Sequence, residues 1–289
     1  MYTLFLDSDC DITPVDCEKY GAKLISMPYI VNGDIIFPYV DFEKYDAHAF
    51  FDMERRGVLP TTAALSEEEY RKYFVPELEA GHDILYVHFS RVMSATFDVL
   101  DKVIAELLPK YPGRRIELVD TKAISLGGYT IAIQAAELYK EGKSIDEILE
   151  WAKVNVYKNA FYFFADNLKF FAKSGRVSGF AAFMGGMIGV KPIIYIGDDG
   201  KMTSIDKAIG RKKVLEKLMG YMTELGDDVA NHPIIIAHGD CMNLVDELIA
   251  KIKEKFGENL DIRVIDINPT AGSHCGPDSL GVTFHAIHR

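Results

Sequence analysis

Apolar residues fall into runs whose spacing changes along the chain. "YTLFLDSD" at 2–9 is an extended run that ends in polar residues. "KLISMPYIVNGDIIFPY" at 23–39 reads as two strands joined at Asn32-Gly33-Asp34, a hairpin signal. "DAHAFFDMERRG" is helical and closes at Gly57, and "SEEEYRKYFVPELEAG" opens with Ser66 followed by Glu69, a capping-box pattern. Strand "DILYVHFS" precedes a helix over 94–110, in which Phe97, Leu100, Val103, Ile104 and Leu107 recur every three or four residues. Strand "RIELVDT" and helices over 125–141 and 144–159 follow. Strands alternating with long helices predict a parallel α/β sheet.

Beyond residue 160 the texture changes. "KPIIYIGDDGKMTSI" reads as strand, Asp-Gly turn, strand. A helix near 210–225, strand "PIIIAHG", helix 242–256, strand "DIRVIDI" and the apolar "LGVTFHAI" complete an α+β pattern. The expected fold is two-domain α/β. Residues 1–160 form a parallel α/β domain and residues 161–289 an α+β domain. They are joined without a Pro/Gly/Ser linker, and a ligand is enclosed at their junction.

Composition narrows the function. The 289 residues are 48% hydrophobic, enough for a sizeable core. No apolar run approaches a membrane span, and the N-terminus lacks the pattern of a signal peptide, so a cytoplasmic protein is expected. A net charge of −11 without a basic block argues against nucleic-acid binding. Cys10, Cys17, Cys241 and Cys275 show no metal spacing, so reduced, buried thiols and no metal cofactor are expected.

Five stretches carry candidate chemistry. In "LFLDSDCDIT", Asp7, Asp9 and Asp11 lie where open α/β sheets place functional groups. The Asp7/Asp9 pair is similar to the nucleophile motif of haloacid-dehalogenase-type, magnesium-dependent phosphatases, with Asp198 and Asp199 as a later acidic pair. The alternative is that these residues bind turn amides and cap a helix, and that Asp199-Gly200 is a hairpin turn. In "LPTTAALS", Thr61 and Thr62 either cap a helix or face a ligand. In "HFSRVMSATF", Ser90, Ser94 and Thr96 gather at a helix start, and Ser94 either caps that helix or helps to hold an anion there. Residues 165–201 bring a basic group, Lys169, Lys173 and Arg176, before the small-residue run "FAAFMGGMIG", read as a core helix or as a lipid-facing wall. In "TAGSHCGPDSLGV", His274 sits on an expected Gly-rich loop.

In this order the segments resemble the DegV family, the fatty-acid-binding subunits of bacterial fatty acid kinase. "LDSDCDIT", "PTTAALS", "FSRVMSATF", "DTKAISLGG", "DNLKFFAKSGRVSG" and "SHCGPDSLGV" carry the resemblance, which spans the chain. It implies that Thr62 and Ser94 hold the carboxylate of one long-chain fatty acid. Arg176 and His274 would serve its head group, with Asp7, Thr61, Ala95 and Arg211 as weaker candidates. It further implies no cofactor and no catalysis by the chain alone. The partner would be a separate kinase subunit that moves phosphate from ATP to the acyl carboxylate for phospholipid synthesis. Contact with a membrane surface would be transient, without integral association. A fatty-acid carrier with no kinase is the neighbouring alternative. Ala63, Ala64 and Leu65 depart from the family's Ser-Gln-Pro, and Arg91 and Ala95 replace its glycines beside the carboxylate loop.

Overall fold

The computed structural model describes residues 1–178 and 189–289. The run at 180–189 therefore lies, save Gly189, outside the described residues.

The N-terminal half keeps the predicted alternation and adds α1 and β5, which the sequence reading lacked: β1 (Tyr2–Asp7), α1 (Pro14–Tyr20), β2 (Lys23–Ile25), β3 (Tyr29–Val31), β4 (Asp34–Ile36), α2 (Ala47–Arg55), β5 (Thr61–Thr62), α3 (Glu67–Glu79), β6 (Asp83–His88), α4 (Thr96–Leu107), β7 (Ile116–Asp120), α5 (Leu126–Lys140) and α6 (Ile145–Asn155). A four-stranded parallel sheet has the order β2-β1-β6-β7. Apart from their first residues β1 and β6 are buried throughout, as strands covered on both faces must be. Ser66 caps α3 by accepting from Glu69 N–H at 3.2 Å. Glu69 does not return the bond, because its carboxylate pairs with Lys72.

The predicted hairpin turns where expected. Val31 pairs with Asp34, and Asn32 and Gly33 have φ of +54° and +98°, the positive pair a tight two-residue turn requires. Its upstream arm, however, is two strands. "KLI" is β2 of the parallel sheet, whereas β3 joins β4 and β5 in a separate three-stranded sheet. Pairing of Tyr29 with Thr62 fixes where Thr62 stands.

The C-terminal half comprises β8 (Asn159–Phe164), α7 (Leu168–Ser174), β9 (Val177–Ser178), β10 (Val190–Ile196), β11 (Met202–Ile209), α8 (Arg211–Leu225), β12 (Ile234–His238), α9 (Met242–Phe256), β13 (Ile262–Asp266), α10 (Pro269–Cys275) and β14 (Leu280–His285). Its mixed seven-stranded sheet has the order β13-β12-β14-β8-β10-β11-β9. Two expectations are corrected. The helix expected to reach 159 stops at Asn155, and "NAFYFF" is β8, buried at every position and hydrogen-bonded on both edges. The loop expected around His274 is α10. Pro269 opens it, and Asn268 caps it by accepting from Ala271 N–H at 2.8 Å.

Helix α5 lies between the two large sheets and touches strands of both. Its small first turn permits this. A Cβ at Gly128 would stand 2.6 Å from Cys10 Sγ after β1, and one at Gly127 3.3 Å from the Phe161 ring on β8. One core fills the N-terminal half and a second the C-terminal sheet. A third joins Tyr29, Phe50, Phe51 and Leu126 to Phe161, Phe163 and Ala271, and it adjoins the cavities described next.

Candidate functional site

From β1 the chain turns to β2 on one side and later to β6 on the other. The carboxyl ends of β1 and β6 therefore flank a topological switch point, where open sheets bind ligands. A cavity opens there with about 450 Å³ of empty space, part of it open to solvent. Thr62, Ser94, Arg176 and His274 line it together, although they lie far apart in the chain, and so does Asp9. A second, apolar cavity adjoins it, with about 460 Å³ of empty space that likewise includes open solvent, lined in part by Leu126, Phe161, Phe163, Phe171 and Ile267. Ile124, Met202 and His274 line both, so they form the passage between the polar and apolar ends.

Thr62, His274 and Ser94 are held from behind. Thr62 Oγ1 and His274 Nε2 are 3.2 Å apart, which joins β5 to α10. Burial, helped by the Arg176 cation, pushes the His274 pKa down to about 3, so the ring is neutral. Ser94 Oγ accepts from Thr96 N–H at 3.2 Å, which leaves its hydroxyl proton to donate. Helix capping and ligand contact are therefore compatible at Ser94. The other two hydroxyls of that stretch are engaged. Ser90 donates to Gly200 O at 2.9 Å, and Thr96 Oγ1 accepts from Leu65 N–H and bonds the Tyr70 hydroxyl, both at 3.0 Å.

The three aspartates after β1 separate by partner. Asp7 accepts from Asp9 N–H at 2.7 Å and from the Tyr86 hydroxyl at 2.8 Å. Asp11 accepts from Ser125 at 2.6 Å and from Asn268 N–H at 2.9 Å, which ties α5 and α10 to this turn. Burial pushes both carboxyls up to about 7. Asp9 is raised well above the usual range by burial and then by Asp7, and its Oδ1 has no hydrogen-bond partner.

The remaining candidates stand elsewhere. Thr61 is exposed and lines a side cavity with Lys173 and Arg176. Ala95 has an ordinary φ of −70° and does not line the main cavity with its neighbours Ser94 and Thr96. Arg211 donates to Asp166 at 3.0 Å and to Asp278 at 2.8 Å. The phosphatase arrangement finds no support. Asp199 caps its own hairpin turn by accepting from Lys201 N–H at 3.0 Å, and the expected nucleophile Asp7 is buried and held by two donors. The sequence offered Asp9 as half of that motif and as one of three acids at a strand end, not as a neighbour of Thr62 and Ser94. Met93 and Phe89, also in the wall, carried no sequence signal for it.

The fold and site define a class, two packed α/β layers with a polar-headed apolar cavity at their junction. The family model that matches residues 2–286 is described as "Uncharacterised protein, DegV family", and the chain belongs to the DegV family. A DegV domain-containing protein of Clostridium perfringens is 32% identical, with 98% of this chain and 97% of that protein aligned. A fatty-acid-binding DegV family protein from Thermus thermophilus superimposes with a TM-score of 0.86 at 24% identity, covering 99% of each chain. A stearic-acid-binding protein from Eubacterium ventriosum also gives 0.86, at 20% identity, covering 99% of this chain and 98% of its own. Among the described residues no helix is long and apolar enough to cross a membrane.

One buried acid near this site predicts a pH dependence. Glu54, on α2, is fully buried with neither carboxylate oxygen hydrogen-bonded, and burial pushes it up to about 9. The folded chain thus holds a proton that the unfolded chain releases near its ordinary 4.5. That contribution to stability is complete below the unfolded value and is lost as pH rises towards 9. His88 and His274, lowered to about 4 and about 3, act oppositely but only below their unfolded value of 6.5. Thermal stability is expected to fall between pH 7 and 9. Glu54→Gln should remove up to about 1.4 kcal/mol per pH unit of that slope. Equal slopes in melts of the two proteins would contradict this.

Proposed function

We propose that this chain binds one long-chain fatty acid and presents its carboxylate to a separate ATP-dependent kinase subunit. Thr62 and Ser94 donate to the carboxylate, Arg176 and His274 border the head group, and the acyl chain enters the apolar cavity past Ile124 and Met202. The observation that carries the reading is the junction itself, where a polar cavity with these four side chains continues into one lined by aromatic and aliphatic groups. Fatty-acid binding by solved DegV relatives, stearic acid among the ligands, supports it. In this reading residues 1–160 supply the carboxylate loops and residues 161–289 most of the apolar wall.

The energetics are favourable. A sixteen-carbon chain gains roughly 12 kcal/mol gross at about 0.8 kcal/mol per buried CH₂, before ordering costs. The head group then needs to fix orientation more than to add affinity. The carboxylate oxygen would attack the γ-phosphorus of ATP held by the partner. The bond to ADP breaks, and an acyl phosphate and ADP result. The partner supplies the nucleotide site, since this chain carries no GxxxxGK[ST] loop.

The test begins with gently purified protein, extracted and examined for acyl chains. Delipidated protein is then melted with and without palmitate. No extractable chain together with no shift in Tm would sink the reading. Ser94→Ala should weaken palmitate roughly 10-fold or more, the loss of a hydrogen bond to a charged group. Hexadecanol should be less affected. Equal losses for acid and alcohol would leave Ser94 as a helix cap alone.

A further inference from the structure

Three aspartates within five residues, all buried, need a physical account. Asp7 and Asp11 have one, because each accepts from donors that anchor a neighbouring element. Asp9 does not. It is 4% exposed, it lines the same cavity as Thr62, Ser94, Arg176 and His274, and its Oδ1 meets no partner. A buried carboxyl oxygen left unpaired costs about 1–3 kcal/mol, and this one belongs to a residue that lines the ligand cavity, where a bound head group would supply the missing bond.

We propose that Asp9, in its acid form, is a further ligand-contacting residue that donates a hydrogen bond from its carboxyl group to the fatty acid's carboxylate, making the site select acids over alcohols. The inference rests on the fatty-acid reading above.

The surroundings decide which form Asp9 takes. Its own turn carries Cys10, Asp7 and Asp11; across the cavity stand Arg176, before β9, and neutral His274 on α10. Tyr70 on α3 and Tyr86 on β6 add only neutral hydroxyls. Arg176 is the one charged cation among the described lining residues, and it is itself exposed. Burial with Asp7 beside it therefore favours the neutral acid at Asp9. An ionised Asp9 would repel the ligand, whereas a neutral one shares its proton with the incoming carboxylate, as two adjacent carboxyls do when only one ionises. Thr62, Ser94 and Asp9 then supply donors from three separate segments of the chain.

The experiment measures palmitate and hexadecanol affinity on the delipidated full chain by displacement of a fluorescent fatty acid, from pH 6 to 9.5. Asp9→Asn keeps a donor that needs no proton. It should bind palmitate within about threefold of wild type at pH 7 and show a flatter pH profile, whereas wild type weakens as Asp9 ionises at high pH. Asp9→Leu should lose roughly 10-fold or more on palmitate and far less on hexadecanol. Palmitate binding strengthened about tenfold or more by Asp9→Asn would mean that Asp9 is an anion and overturn the proposal. Equal losses on both ligands for Asp9→Leu, or none, would also overturn it. Should Asp9→Leu not fold, parallel pH profiles for wild type and Asp9→Asn overturn it alone. A wild-type chain that binds neither ligand sinks the fatty-acid reading and this inference with it; the other adverse outcomes sink the inference only.

Discussion

Gly276→Ala is expected to lower Tm by roughly 4 °C or more, at about 2–4 °C per kcal/mol for a chain of this order of size. Two costs coincide at this position. Its φ of +74° with ψ of 177° is a backbone region reserved for glycine, worth about 1–3 kcal/mol for any other residue. An added Cβ would also stand 2.2 Å from the Phe170 ring, an overpacking worth about 1–3 kcal/mol more. The clash falls where α10 packs on α7, so relief of it shifts the helix that carries His274 and loosens its contact with Thr62. Gly142→Ala is the control. It has a φ of +82° but nothing within 4 Å of the added Cβ, and it should cost only about 1–2 kcal/mol. Thermal melts of both variants decide the matter. A Gly276→Ala protein no less stable than Gly142→Ala would show that the Phe170 contact relaxes freely.

Elements with a strong one-dimensional period, or an apolar run set off by polar residues, were legible, and elements with neither were not. Phe97, Leu100, Val103 and Leu107 point inward from α4 because their spacing follows its turn. "NAFYFF" has no period because β8 is buried on both faces, and an apolar run after a helix reads as more helix. Helix α10 hid behind Gly272 and Ser273, although Asn268 followed by Pro269 is a helix-start signal. Helix α1 hid likewise, although Thr13 and Asp16 form its capping box, with Asp where Glu or Gln is usual. At the site, Thr62, Ser94, Arg176 and His274 were each singled out from local sequence and the family resemblance. Their meeting was not legible, since it depends on β5 pairing with β3 and on Asn268 bonding Asp11, contacts between residues distant in the chain. Asp9 was noticed for its spacing from Asp7, yet its orientation differs from Asp7's because it follows the strand end within a tight turn.

Under the proposed function, Arg176→Ala is expected to keep palmitate while losing about 10²–10³-fold in transfer of phosphate from ATP by a kinase partner. The separation follows from where the two kinds of interaction lie. In the proposed function affinity comes mostly from the apolar cavity, whose described wall includes Phe161, Phe163 and Phe171 but not Arg176. Charge develops only at the head-group end, where Arg176 is the cation among the described lining residues. His274 is neutral and cannot replace that charge, but its ring orients the Thr62 hydroxyl. His274→Ala should therefore also retain most lipid and lose turnover, by less than Arg176→Ala. Arg176→Lys should recover part of the rate, because a point charge replaces the guanidinium fork. Each variant is loaded with labelled palmitate, its stoichiometry is confirmed, and acyl-phosphate formation is followed with the partner and ATP. Wild-type turnover in Arg176→Ala would remove the cation from the mechanism. Equal loss of binding and turnover would place Arg176 in ground-state recognition instead, since only an interaction that strengthens as the phosphoryl group moves lowers turnover while binding is kept.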